Sequence, residues 1–287
     1  MLLSIVTPCF NSEKYIEKCI LSIKNQTCPC FEHIIVDGGS KDRTLEIIKK
    51  YEGTYNMRWI SEPDQGMYDA INKGFKLANG DIYAWINSDD VYMPWTVACV
   101  LNCFKNHENV FWITGIPSQI DENGFPYFRS GYKINCYSKK CIARGDHHIR
   151  GKGAIQQEST FWRSNLWNRA GGIDIKYKLA GDYALWRKFA MFERLYTLPV
   201  ILAAFRIHNE QKSSDTIAYC EEIGKPCNLR NFIWWSFNKL FKIIKIYNHT
   251  NRKMIIKIDH NEDFKKKTNS LKKYIKRFIF KIDYGKE

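Results

Sequence analysis

Two adjacent carboxylates, Asp89 and Asp90, close the run Tyr83-Ala84-Trp85-Ile86-Asn87-Ser88. Neighbouring aspartates repel each other, and a cation is the usual remedy. Oxygen donors at a strand end suit a hard divalent ion such as magnesium or manganese. The same residues fit a plainer role, because Ser88 or Asp89 can cap a helix that starts near Pro94. Asp182 follows Gly181 at the start of another helix, where the helix dipole favours the anion. A carboxylate so placed can take a proton from a hydroxyl nucleophile, or can only cap its helix. Asp37 ends the apolar run Ile34-Ile35-Val36. It either faces a ligand or, with Asp42, shapes the turn around Gly38-Gly39-Ser40. Asp64 is a ligand contact or an N-cap. Asp69 and Lys73 stand four apart and are expected to pair with each other. Arg163, Arg206 and His208 can offset negative charge on a ligand. Gln157 can be a polar residue of an edge strand.

These groups need a scaffold that brings them to one edge. Leu3 to Thr7 predicts a first strand, ending at Pro8. Ser12 is the candidate N-cap of a helix whose buried face is Tyr15, Ile16, Cys19, Ile20 and Ile23. His33 to Asp37 predicts strand two, and a helix capped by Asp42 runs from about 43 to 51. Met57 to Ile60 is a short third strand, followed by a helix over 67–78 closed by Asn79-Gly80. The run ending at Asp89-Asp90 is strand four, and a helix follows over 95–105. This alternation predicts a mostly parallel sheet covered on both faces, with ligands outside the carboxyl ends of its strands. Thr7, Asp37 and Asp89-Asp90 all fall at such ends. Neither G-x-G-x-x-G nor a Walker loop is present.

Beyond residue 110 the pattern changes. Asp121-Glu122-Asn123-Gly124 signals a hairpin between 116–118 and 125–129. Residues 131–152 are expected to be an irregular basic loop. Gln156 to Trp162 predicts a strand, Ser164 to about 170 a short helix stopped by Gly171-Gly172, and Gly181 to Phe192 a longer helix. Val200 to Phe205 is the last strand. The whole is α/β, a mixed and mainly parallel sheet flanked by helices.

The net charge is +14, but it is not spread evenly. From Lys225 to Glu287 there are 17 Lys/Arg against 5 Asp/Glu, which is +12 and leaves about +2 for the rest. Basic, amphipathic patterns recur there, as in Ile233, Phe237, Leu240, Phe241 and Ile244 with Lys239, Lys242 and Lys245 around them. This predicts two domains, 1–216 and a helical extension 217–287 that lies on an anionic membrane or packs on the main domain. The aspartate-lined strand ends argue against nucleic acid at the crevice, since its phosphates would be repelled without bridging metals. The ten cysteines include no C-x-x-C pair, so reduced thiols are expected. No apolar run reaches 18 residues, and the start lacks the pattern of a signal peptide.

The ordered set Ser4-Ile5-Val6-Thr7-Pro8 with Asn11, Val36-Asp37-Gly38-Gly39-Ser40-Lys41-Asp42-Arg43-Thr44, Glu62-Pro63-Asp64-Gln65-Gly66-Met67-Tyr68-Asp69-Ala70-Ile71-Asn72-Lys73-Gly74 and Asn87-Ser88-Asp89-Asp90 resembles the family 2 glycosyltransferases of GT-A fold. Weaker matches are Gln156-Gln157 with Phe161-Trp162-Arg163, Gly181-Asp182-Tyr183, and Phe205-Arg206 with His208. The resemblance covers about residues 3 to 214. It implies that Thr7, Pro8, Asp37, Asp64 and Asp89 line the nucleotide and that Asp90, with His208, coordinates a divalent metal (Mg or Mn). It implies Asp182 as the general base, with Gly181 where many members carry Glu. Gln157, Arg163 and Arg206 fall on the acceptor or diphosphate side. The implied activity is inverting transfer from a nucleotide sugar, such as a UDP-sugar, to a glycan or lipid-linked acceptor in surface-polysaccharide synthesis. The implied place is cytoplasmic, peripheral on the inner membrane face. A sugar-1-phosphate nucleotidyltransferase would want a Gly-rich basic loop where Pro8-Cys9-Phe10-Asn11 stands. A non-catalytic membrane binder would keep its binding without Asp90 and Asp182.

Overall fold

The computed structural model describes residues 1–127, 137–148, 153–209, 211 and 215–224. The basic amphipathic patterns beyond residue 225 and part of the 131–152 loop lie outside the described residues. The described residues all fall within one compact unit, Met1–Asn228.

Strands β1 (Leu3–Cys9), β2 (Phe31–Asp37), β3 (Met57–Ser61) and β4 (Ile82–Trp85) pair in parallel in the order β3-β2-β1-β4. Every residue of β1, β2 and β4 is buried, as strands covered on both faces must be. Between and after them run α1 (Ile16–Lys24), α2 (Thr44–Lys50), α3 (Met67–Leu77) and α4 (Thr96–Asn106). Alternate residues of one strand feed opposite layers. Val6 joins Tyr68, Ile71 and Phe75 of α3, whereas Ile5 joins Cys19 and Ile23 of α1 and Val97, Val100 and Phe104 of α4. Gly74 allows α3 to approach the sheet, because a Cβ there would stand 2.5 Å from Val6 Cγ1.

The second half extends the sheet. It contributes β5 (Val91–Tyr92), β6 (Trp112–Thr114), β7 (Gln119–Ile120), β8 (Thr160–Arg163), β9 (Leu195–Thr197) and β10 (Ala203–Arg206). The main sheet continues β4-β8-β6-β9, with β8 antiparallel to both neighbours, and β5-β10-β7 form a small second sheet. The helices are α5 (Lys139–Ala143), α6 (Ser164–Ala170), α7 (Gly181–Phe192) and α8 (Thr216–Glu222). Trp85, Trp112, Trp162, Trp186 and Phe189 pack ring on ring between α7 and the sheet.

Several expectations are corrected. Gln157–Ser159 is a single 3-10 turn, and only Thr160–Arg163 is strand. The Thr160 hydroxyl donates to the Gln156 carbonyl at 2.7 Å and closes that turn. Ser12 caps nothing, since α1 begins four residues later without a side-chain cap. The Ser12 hydroxyl instead meets that of Ser88 at 2.9 Å. Asp42 does accept from the Thr44 amide, at 3.0 Å. The 121–124 turn forms, flanked by Gln119–Ile120 rather than 116–118. Helix α5 lies in a stretch expected to be irregular, and the two- and three-residue strands β5 and β9 are too short to leave a period in sequence. The stretch after 216, assigned to the extension, starts with α8, whose Tyr219 and Cys220 pack with Ala180 and Tyr183.

Candidate active site

The carboxyl ends of β1, β2 and β4 share one edge. Because β8 runs the other way, the 3-10 turn that precedes it reaches the same edge. Gln157 fixes the meeting point, its amide donating to the carbonyl of Trp85, the last residue of β4, at 2.6 Å. Gln157 is therefore a brace across two strand ends and not an edge-strand residue. The loop after β4 carries the acidic pair, and the two carboxylates have opposite fates.

Asp90 is fully buried. Its Oδ1 accepts from the Arg206 amide at 2.8 Å. Burial, then the charges of Asp89 and Glu158, push its carboxyl well above the usual carboxylate range. Asp89 is 27% exposed, and its Oδ2 lies 2.9 Å from His208 Nε2. In this structure Asp90 is sealed in the core against the Arg206 amide, whereas Asp89 is partly exposed and in contact with the His208 imidazole. Two protein donors, with other positions left to phosphate oxygens and water, suit a magnesium or manganese ion. The pair fits such an ion. Groups of three or more His, Cys, Asp or Glu that could hold a metal are absent among the described residues.

Arg206 is also buried. Its Nε donates to the Asp89 carbonyl at 2.7 Å, and its Nη1 to the carbonyls of Asp121 at 3.1 Å and Glu122 at 3.3 Å. Its guanidinium lies 5.0 Å from the centre of the Tyr15 ring. It holds the Asp89 loop rather than facing a diphosphate. Arg163 is more remote. Its guanidinium donates to the carbonyls of Val110, Phe104 and His107, beyond the far end of β8, and it closes the end of α4. Its placement on the diphosphate side is corrected.

The nucleotide-side residues divide in the same way. Asp37 is fully buried, and its carboxylate accepts from the Gly39 and Ser40 amides at 3.0 Å each and from the Ser61 hydroxyl at 2.7 Å. The Ser40 hydroxyl is a further donor. A carboxylate so saturated shapes its turn and has no site left for a base in this conformation. Thr7 is buried as well, its hydroxyl 2.9 Å from His33 Nε2, and Pro8 is buried beside it. Asp64 is half-buried and accepts from the Gly66 amide at 2.8 Å. Its carboxylate lies where a Gly38 Cβ would stand, 2.6 Å from Oδ2, so this glycine is what lets the two loops meet. Asp69 pairs with Lys73 at 3.5 Å, as the spacing predicts.

Asp182 occupies the first turn of α7, and burial pushes its pKa up to about 6. Glu158, in the 3-10 turn, is the residue the sequence reading missed. It is 3% exposed, and burial pushes its pKa up to about 8, with Asp89 and Asp182 both adding to the rise. The Gln157–Trp85 hydrogen bond ties the Glu158 turn to the strand whose following loop carries Asp89, and Trp186 of α7 stacks on the same Trp85 ring. Buried polar atoms without a hydrogen-bond partner gather here: Asn87 Oδ1, Gln157 Oε1, Glu158 Oε1, Asp182 Oδ1 and His208 Nδ1. Such atoms are costly in a folded protein unless a ligand or water completes them. The only cue to Glu158 in the sequence is a charge in a segment otherwise expected to be buried.

The family model of "Glycosyl transferase family 2" matches residues 4–170. A "PGL/p-HBAD biosynthesis glycosyltransferase" of Mycobacterium bovis is 30% identical over 183 residues, 63% of this chain and 66% of that protein. The matched region is 66% of that relative's length and 26% of that of a chondroitin synthase of Escherichia coli, less than two thirds of either. Among solved structures, residues 1–349 of Staphylococcus aureus TarS in complex with UDP-GlcNAc superpose with a TM-score of 0.61 at 21% identity, covering 75% of this chain and 61% of that one. The mannosyltransferase PcManGT of Pyrobaculum calidifontis, in complex with GDP-Man and Mn2+, gives 0.59 at 17% identity, covering 77% and 61%. The sheet order and its flanking helices are those of the GT-A fold. With the family model matched over more than half of its length, this chain belongs to glycosyl transferase family 2.

Proposed function

We propose that the chain transfers a sugar from a nucleoside-diphosphate sugar, of the UDP type, to a hydroxyl of a glycan or lipid-linked acceptor, with inversion at the anomeric carbon. The observation that supports this reading is the end of β4, where the following loop carries Asp89 at 2.9 Å from His208, Gln157 ties the Glu158 turn to Trp85 at 2.6 Å, and Trp186 of the helix that Asp182 opens stacks on the Trp85 ring. The binding of UDP-GlcNAc and GDP-Man with Mn2+ by proteins of the same fold supports the donor class.

Asp89 and His208 would hold a divalent ion, which supplies positive charge to the departing diphosphate. Asp182 takes the acceptor proton as its oxygen attacks. A carboxylate with its pKa near 6 is mostly ionised at pH 7 yet basic enough for that transfer. Among the described residues no side chain stands out as a covalent nucleophile, so a single displacement is the simpler course. Arg206 and Gln157 keep Asp89 and Trp85 in place while this happens. The +12 charge of residues 225–287 supports a role at an anionic membrane surface, where lipid-linked acceptors and surface-polysaccharide synthesis would be found.

Thermal shift with UDP, GDP, dTDP and CDP, each with and without manganese, tests the donor reading. A metal-dependent rise in Tm with one nucleotide is expected, since a ligand of the folded state stabilises it by linkage. No rise with any of the four overturns the reading.

A further inference from the structure

The segment after residue 215 reaches back to the catalytic carboxylate. Asp215 caps α8, accepting from the Ala218 amide at 2.9 Å. At the other end of α8, Glu222 accepts from three successive amides, those of Lys178, Leu179 at 2.9 Å and Ala180 at 2.6 Å. These are the last residues before α7, whose N-cap, Ala180, offers no side-chain acceptor. Asp182 follows two residues later. The loop is held from the far side too. The Tyr68 hydroxyl of α3 donates to the Leu179 carbonyl at 2.9 Å, and Gly181 lies against the Tyr68 ring, where a Cβ would come within 2.6 Å. Tyr219 and Cys220 of α8 pack with Ala180 and Tyr183.

Building on the reading of Asp182 as general base, we propose that Glu222 is a positioning residue for glycosyl transfer. Its carboxylate gathers the 178–180 amides and so sets where the Asp182 carboxylate stands, and α8 is part of the catalytic unit. Three orphan amides ahead of a helix would otherwise turn to water, and the first turn of α7 would lose its fixed entry. A base displaced by about 1 Å can cost on the order of 100-fold in rate. Glu222 also acts through its charge. The groups that face Asp182 are Tyr68 from α3, Glu158 from the 3-10 turn, and Tyr219 and Glu222 from α8. Burial is the main reason that the Asp182 proton is held, and the Glu222 charge adds to it.

The test compares Glu222→Ala, Glu222→Gln and Glu222→Asp with the wild type and with Asp182→Asn. The full chain is used, with manganese, a nucleotide-sugar donor identified by the thermal-shift panel, and an acceptor that the wild type glycosylates. In Glu222→Ala, kcat is expected to fall by roughly 10- to 100-fold while the donor KM and the UDP-induced rise in Tm stay unchanged. Glu222→Asp, which keeps the charge and both oxygens, should recover part of the loss. In Glu222→Gln the acid limb of kcat should move to lower pH. If Glu222→Ala does not fold, the Gln and Asp variants carry the comparison. The proposal is overturned if kcat and its pH limb stay at wild-type values in all three, or if kcat falls only together with donor affinity and Tm. Transfer retained by Asp182→Asn marks a different failure, that of the base assignment, whatever the Glu222 variants do.

Discussion

On the proposed role of Asp182 as general base, replacing it by Asn removes that base. Asp182 Oδ1 has no hydrogen-bond partner, so Asn breaks no contact through that atom. A general base contributes about 10²- to 10⁴-fold, which is about 3–5 kcal/mol of barrier. The pH profile gives the sharper check. Burial lifts the Asp182 pKa to about 6, so the active form is the anion above that value. With one proton lost, about nine-tenths of the enzyme is competent at pH 7 and about one-tenth at pH 5. The kcat at saturating donor, manganese and acceptor, followed by release of the nucleoside diphosphate, should therefore fall with unit slope below about pH 6. In Asp182→Asn the residual rate should be low and flat across that range, with the UDP-induced Tm shift intact. An acid limb that survives in the variant, or a rate within about fivefold of wild type, refutes the assignment.

Three further outcomes follow from the geometry. Asp89→Asn and His208→Ala should each abolish the manganese-dependent part of the UDP thermal shift, whereas Asp90→Ala should keep it and lose about 1–3 kcal/mol of stability by orphaning the Arg206 amide, as read by urea denaturation. Glu158 holds its proton more tightly folded than unfolded, so its contribution to stability is present at low pH and is lost as pH rises from about 4.5 through about 8. Glu158→Gln should accordingly raise the Tm more at pH 8.5 than at pH 5, and equal shifts would contradict the burial argument. His33 behaves in the opposite sense, since burial pushes its pKa down to about 3. Its contribution is full above about pH 6.5 and is lost on acidification, so between pH 7 and 5 the wild type should lose up to about 2 kcal/mol more in urea denaturation than His33→Gln.

The four parallel strands and four helices of the first 106 residues were legible because short β-prone runs alternate with helices that carry clear apolar faces. The parallel order β3-β2-β1-β4 follows from that alternation. What was not legible depended on partners distant in sequence. Asp89 and Asp90 are identical as letters, and only the return of β10 decides that Asp90 is sealed by the Arg206 amide while Asp89 meets His208. Asp37 stayed open between a ligand contact and a turn-shaping role because Ser61, one of its donors, lies 24 residues away. Gln156 mimics a strand without being in one, its side-chain amide exchanging two hydrogen bonds with the Ser118 backbone at 2.9 and 2.7 Å. Glu158 was hidden for the same reason, inside a segment read as strand. Asp182 at a helix start was visible from local signals alone, but Glu222, which holds the loop before it, was not.

Arg206 has a consequence for how the protein opens. One guanidinium joins the loop after β4, the 121–124 hairpin and the Tyr15 ring, while its own amide closes on Asp90. None of these segments can swing away without stranding a buried charge, which is far more costly than losing a surface contact. They should exchange their amide hydrogens as one cooperative block rather than fray one by one. Partial unfolding would then take away the metal-side pair in a single step, and inactivation by heat would come before loss of the parallel core.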